Sequence, residues 1–302
     1  MGNTILTEVA IIGGGPAGLA AALYLGRAQV DTLVIDADMC GGQIISSPLL
    51  ENVPGFYGSG AELAIKMLDE VQKYPSVSFE NFNPVLEVHP SYSYNKLDGY
   101  ILKLEDGTVV TSDYVICATG SQPIHLPNTD QPNTHYCVTC DGALYQDKIV
   151  AVIGGGNSAL QYALELTKYA AVVLVITNEN ELRGEQNMRE RVLEHEQIEV
   201  YTNSAVESFD GKYIYINDGS KIYVEGIFVA VGYRTNTDYF EGYKHNGRFV
   251  VNKEFNVRGK ELAPLEHVYA IGDCRVKDFN QVVIAMADGC EVALRIISDL
   301  EK

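Results

Sequence analysis

Residues 7–36 read TEVAIIGGGPAGLAAALYLGRAQVDTLVID, and their order decides the fold. An apolar run through Val9 to Ile12 enters three glycines, an alanine-rich stretch follows, and a second β-branched run closes on Asp36. The pattern predicts strand, glycine turn, helix and strand. In such a unit Gly13 allows the tight turn, Gly15 lets backbone approach a pyrophosphate, and Gly18 lets helix and strand pack closely. Pro16 and Ala17 lie where the helix begins, and its first N–H groups are free to meet an anion. Asp36 is then placed to accept hydrogen bonds from a ribose diol.

Residues 147–177, DKIVAVIGGGNSALQYALELTKYAAVVLVIT, repeat these elements. Gly154, Gly156 and Ala159 take the three small-residue roles, with Asn157 and Ser158 between them. The repeat departs at its end, where the position equivalent to Asp36 is the uncharged Thr177. Three shorter runs, YVICATG (114–120), GIFVAVGY (226–233) and HVYAIGDC (267–274), each read as a buried strand delivering a glycine to a ligand or a neighbouring segment.

Length and composition limit what such units serve. The 302 residues exceed one comfortable core, and 46% hydrophobic with 21% charged residues is a globular composition. A formal charge of -18 repels nucleic acid and anionic membranes, so neither is an expected partner. No apolar run approaches the roughly 20 residues of a membrane span, and residues 1–8 lack the pattern of a signal peptide. A cytoplasmic protein without membrane insertion is expected. Six cysteines in a chain of this length do not make a disulfide framework, so any disulfide should be catalytic.

The order GGGPAG, GGQI (41–44), ATG, CVTCDG, GGGNSA, AVGY, AIGDC and QVVIAMADGC resembles the low-molecular-weight thioredoxin reductases, of the FAD-dependent disulfide reductase superfamily. The resemblance covers nearly the whole chain. Its most specific element is the CxTCDG lying between the two nucleotide units. It implies an α/β fold of two Rossmann-like dinucleotide-binding domains of the three-layer ββα type, the second inserted into the first. Residues 1–115 and 245–302 would form the FAD-binding domain, and 116–244 the inserted domain with the dithiol. It further implies that Gly272 and Asp273 hold the ribityl and phosphate region. Gly42, Gln43, Asn52, Thr119, Gly120, Gln281 and Val282 would line the flavin pocket. A homodimer and a thioredoxin or thioredoxin-like partner are implied by the same resemblance.

Cys137 and Cys140 fit a redox pair better than the alternatives. A zinc site needs four ligands, and Cys40, Cys117, Cys274 and Cys290 are isolated singles, so no metal is expected. A Cys-X-X-Cys pair closes and opens a short disulfide loop and favours one low-pKa thiol. Asp141 is placed to move the accompanying proton, or merely to cap the following helix. The resemblance makes Cys140 the thiol nearer the flavin and Cys137 the one that attacks a partner. Cys117 reads as a buried strand thiol and Cys290 as one on the interior face of the last helix.

The electron donor is where the chain leaves its family's pattern. NADPH-dependent relatives carry HRRxxxR after the second strand to hold the 2′-phosphate, whereas residues 177–183 read TNENELR. Only Arg183 is retained, and Glu179 and Glu181 repel a phosphate dianion. Losing two charge-assisted contacts of about 1.5–3 kcal/mol each weakens binding roughly a hundredfold or more. NADPH is disfavoured. Gly154, Gly156, Asn157, Ser158, Ala159, Thr177 and Glu179 are left as the candidate second nucleotide site, for NADH or a second flavin. Ferredoxin is the protein-donor alternative, against which the acidic charge argues. A non-catalytic, redox-responsive flavoprotein is the remaining alternative, disfavoured by the intact CVTCDG.

Overall fold

The structure is a computed structural model, and it describes residues 3–47, 50–94 and 96–302. The chain forms two compact units, Met1–Gln122 with Thr235–Lys302, and Pro123–Arg234.

In the first unit, strand β1 (Thr4–Ile12) leads through the glycine turn into helix α1 (Pro16–Arg27) and strand β2 (Thr32–Ile35). Five parallel strands run side by side in the order Val77–Glu80, β2, β1, Val109–Cys117, Pro264–Ala270. Asn256–Arg258 and the hairpin Val85–Ser93/Lys96–Leu104 add antiparallel neighbours. Alternation along β1 sorts the core into two layers. Val9 and Ile11 pack with Leu19 and Leu25 of α1 and Val292 and Ile296 of the last helix, Val282–Leu300. Ala10 and Ile12 face the opposite way, toward Tyr100, Leu102, Phe240 and Phe249. A strand buried on both faces must be continuously apolar, which is why β1 reads as it does.

The second unit has the same logic. Its five parallel strands stand in the order Thr134–His135, Gly226–Val229, Ile149–Ile153, Val172–Ile176, Ile198–Tyr201. Val150 and Val152 meet helix Asn157–Leu166 on one face, through Leu160 and Leu166. Ala151 and Ile153 meet Phe209 and Ile214 of an antiparallel meander on the other. Helix, parallel sheet and antiparallel sheet make the three layers. Leu166 is fully buried in this core. Leu166→Ala should therefore cost about 2–5 kcal/mol, read as a lowered urea midpoint for the second unit's transition.

The crossings between units fall at 122/123 and 234/235, not near 115 and 245. Cys117 is still in register with Ile12, and the Ala118 N–H donates to the Ile12 carbonyl. On the return, Tyr239 and Phe240 are buried in the first unit's core, and the Tyr239 carbonyl accepts from the Val88 N–H at 2.8 Å. These contacts hold both flanking segments to the first unit.

Candidate functional site

The first glycine turn sits at the carboxyl ends of the parallel strands, where open α/β sheets leave a crevice. Gly13 has φ +109°, and a Cβ there would lie 2.4 Å from the Ala118 carbonyl oxygen, so only glycine fits. Gly18 touches the Gly13 carbonyl in the same way. Helix α1 starts at Pro16 with Gly15 as its N-cap, and no side chain caps it. Its free N–H groups and positive dipole end suit a phosphate. Asp36 accepts from the Gly14 N–H at 2.6 Å and from the Asp38 N–H at 2.9 Å, which fixes its carboxylate beside the turn. Gly42 packs its backbone against Gly15, and Gln43 beside it is exposed.

Segments far apart in sequence complete this pocket. Asn52 donates through Nδ2 to Gln281 Oε1 at 3.1 Å, joining the strand Leu50–Val53 to the N-cap of the last helix. Val282 packs on the small core of Ile44, Leu50 and Leu63. Thr119 and Gly120 follow the strand Val109–Cys117, with Thr119 Oγ1 donating to the Asn236 carbonyl at 2.6 Å. Gly272 and Asp273 open the helical turn Gly272–Cys274 that follows the strand Pro264–Ala270. Asn52 Oδ1 and Asn280 Oδ1 are buried without a hydrogen-bond partner. Orphaned acceptors cost free energy unless something donates to them. Hydroxyl-rich ribityl and ribose groups would do so, and the uncapped helix suits a pyrophosphate, so these residues fit FAD.

Three residues not named from the sequence support Gly272 and Asp273. Asp288, inside the apolar run of the last helix, accepts from the Gly272 N–H at 2.9 Å and is bracketed by Arg275 at 2.7 and 2.8 Å. The nearly buried Lys277 ammonium lies 2.9 Å from Asp273 Oδ1 and 3.8 Å from Asp288 Oδ2. An acid within VVIAMADGC was the only trace of this cluster in the sequence.

Cys137 and Cys140 form a disulfide with Cα atoms 5.3 Å apart. Cys137 is the N-cap of the short helix Val138–Asp141, its Sγ accepting from the Cys140 N–H at 3.2 Å. Asp141 does not cap the following turn through its side chain. It is buried instead, with Oδ2 3.2 Å from His135 Nδ1 and Oδ1 unpartnered. His135 Nε2 lies 2.6 Å from the Tyr145 hydroxyl. Neither His135 nor Tyr145 had been legible as part of the site.

The free thiols are not comparable to this pair. Burial and then the Asp36 charge push Cys40 up to about 12, and burial pushes Cys274 to about 11 and Cys117 higher still. A thiol that stays protonated is a poor nucleophile. Cys290 is half-buried rather than interior.

The second turn repeats the backbone of the first without its acid. Gly154 has φ +137°, and a Cβ there would meet the Ala230 carbonyl at 2.5 Å, as at Gly13 and Ala118. Gly156 is the N-cap of helix Asn157–Leu166, again without a side-chain cap, and Ala159 is fully buried. Thr177 is buried against Gly155, where an acid would otherwise reach out to a ribose. Asn157 Oδ1 accepts from the Glu185 N–H at 2.7 Å, and Ser158 is exposed. Arg183 is bound by Glu179 at 2.6 Å, so the segment's retained cation and the carboxylate expected to reach a ribose occupy each other.

A profile of the family described as pyridine nucleotide-disulphide oxidoreductase matches residues 7–289. The chain is 33% identical to a "34.2 kDa protein in rubredoxin operon" of Clostridium pasteurianum, over 95% of both chains. It is 29% identical to a thioredoxin reductase of Mycoplasma genitalium, over 99% of this chain and 96% of that one. The structure of a thioredoxin reductase from Streptococcus pyogenes superposes with a TM-score of 0.87 at 27% identity, over 98% of both chains. No helix among the described residues is long and apolar enough to cross a membrane.

Proposed function

Because the chain belongs to the pyridine nucleotide-disulphide oxidoreductase family, as a flavin-dependent, thioredoxin-reductase-like member, we propose that it passes electrons between FAD, the Cys137–Cys140 disulfide and a thioredoxin-like protein, without efficient use of NADPH. The observation that carries the reading is a formed Cys137–Cys140 disulfide in the same chain as a complete dinucleotide turn. Bound flavin supplies a two-electron carrier. The chain's own residues do the rest. Gly13, Gly15 and Gly18 admit the pyrophosphate, Asp36 holds the adenosine ribose, and Asp273 with Asn52 receives hydroxyl donors. Asp141 moves the proton that accompanies opening of the disulfide, and Cys137 attacks the partner.

Loss of NADPH use rests on the Thr177–Arg183 segment. Arg183, the segment's one retained cation, is paired at the surface with Glu179. A 2′-phosphate would have to break that pair and then sit beside the freed carboxylate. Anaerobic titration of the oxidised protein, with flavin bleaching followed beside a count of flavins per chain, tests this. Micromolar NADPH is expected to leave the flavin oxidised. Bleaching by NADH would assign the second turn to that nucleotide. Two flavins per chain would assign it to a flavin nucleotide. One flavin and no response to either nicotinamide points to a protein donor such as ferredoxin. Rapid stoichiometric bleaching by NADPH overturns the reading.

A further inference from the structure

Asp141 is the end of a buried chain of polar groups that the motif does not mention. His135 ends the edge strand Thr134–His135, whose partner strand puts Phe228 beside it, and the imidazole stacks on the Phe228 ring at 5.1 Å. Its two nitrogens face opposite ways, Nδ1 to Asp141 Oδ2 at 3.2 Å and Nε2 to the Tyr145 hydroxyl at 2.6 Å. The side chains of His135 and Asp141 are only 9% and 11% exposed, and Tyr145 is 5% exposed. Bulk water therefore plays little part in setting their hydrogens.

Building on the assignment of Asp141 as the proton-transfer group, we propose that His135 is a positioning residue that holds the Asp141 carboxylate formed when the disulfide opens, with Tyr145 fixing its tautomer. Burial above all pushes the Tyr145 phenol up to about 12, so it keeps its proton. Its O–H then donates to Nε2, which places the imidazole hydrogen on Nδ1, facing Asp141. Lys148, over the Tyr145 ring at 5.1 Å, and Glu225 are the other charged groups at this end.

The step balances as follows. Given two electrons from a bound, reduced flavin, the Cys137–Cys140 S–S bond breaks and one sulfur is left as thiolate. The other takes the Asp141 carboxyl proton, so an O–H bond breaks and an S–H bond forms. Asp141 becomes a carboxylate, and the His135 Nδ1–H, near but not aligned in the disulfide state, turns onto Oδ2. Reoxidation by a partner disulfide returns the proton to Asp141. Holding the carboxylate lowers the barrier to disulfide opening, because a buried carboxylate without a donor is costly.

The test uses the flavin-loaded protein, dithionite-reduced methyl viologen as electron donor and a purified thioredoxin disulfide as acceptor. His135→Phe preserves the stack on Phe228 but has no donor, and should lower turnover about tenfold or more. His135→Asn is smaller but places an N–H near Nδ1, and should stay within about threefold of the parent. A role in packing alone predicts the reverse order, so activity retained by Phe and lost by Asn overturns the proposal. Should His135→Phe lose its flavin or its fold, Tyr145→Phe decides. It keeps the ring and should slow turnover about threefold or more, whereas parental turnover there overturns the proposal. Asp141→Asn separates the layers. Its failure to slow turnover removes the assignment of Asp141 itself, while its expected loss beside a fully active His135→Phe removes only the role of His135.

Discussion

Cys137→Ser and Cys140→Ser should each lower thioredoxin-disulfide reduction by at least about a thousandfold while leaving flavin in place. A serine hydroxyl can neither form the intramolecular disulfide nor attack a partner disulfide at neutral pH. The fold should tolerate the change. Cys137 caps the helix Val138–Asp141 by accepting the Cys140 N–H, and serine is a favoured residue at that position. The dinucleotide turn belongs to the other compact unit, so flavin should stay bound. The measurement is turnover with a viologen donor beside the visible spectrum of each variant. Parental turnover in either variant would remove the dithiol from the mechanism.

Asp273→Ala should release the flavin, with binding weakened about 10²- to 10⁴-fold. Two charge-assisted hydrogen bonds of about 1.5–3 kcal/mol each set that range. The loss has a second source in this chain. Lys277, its side chain 5% exposed, would keep only the Asp288 carboxylate 3.8 Å away, already engaged by Arg275 and the Gly272 N–H. Asp273→Asn keeps the shape and one acceptor oxygen, and should retain more flavin than the alanine variant. The ratio of flavin to protein absorbance after gel filtration reads both. Full flavin content in Asp273→Ala would mean that Gly272 and Asp273 do not hold the cofactor.

The features legible in the sequence are those whose physics is local. GGGPAG announces a turn because Gly13 needs a positive φ and Gly18 needs close packing, both within six residues of chain. The missing acid at Thr177 and the Cys137/Cys140 spacing were equally readable, since each is a matter of offset along one continuous stretch of chain. What the tertiary structure decided are pairings between residues that no spacing relates. Asn52 meets Gln281 across 229 positions, and Thr119 meets Asn236 across 117. Asp288 reaches Gly272 only because the last helix lies over that strand end. His135 stands two positions before Cys137, outside the CVTCDG stretch. It became part of the site because an edge strand and a helical turn carry it between Asp141 and Tyr145 in a space closed to water. A turn is selected by the conformations its own residues allow, whereas a buried polar contact exists only once strand order and packing have excluded every other partner.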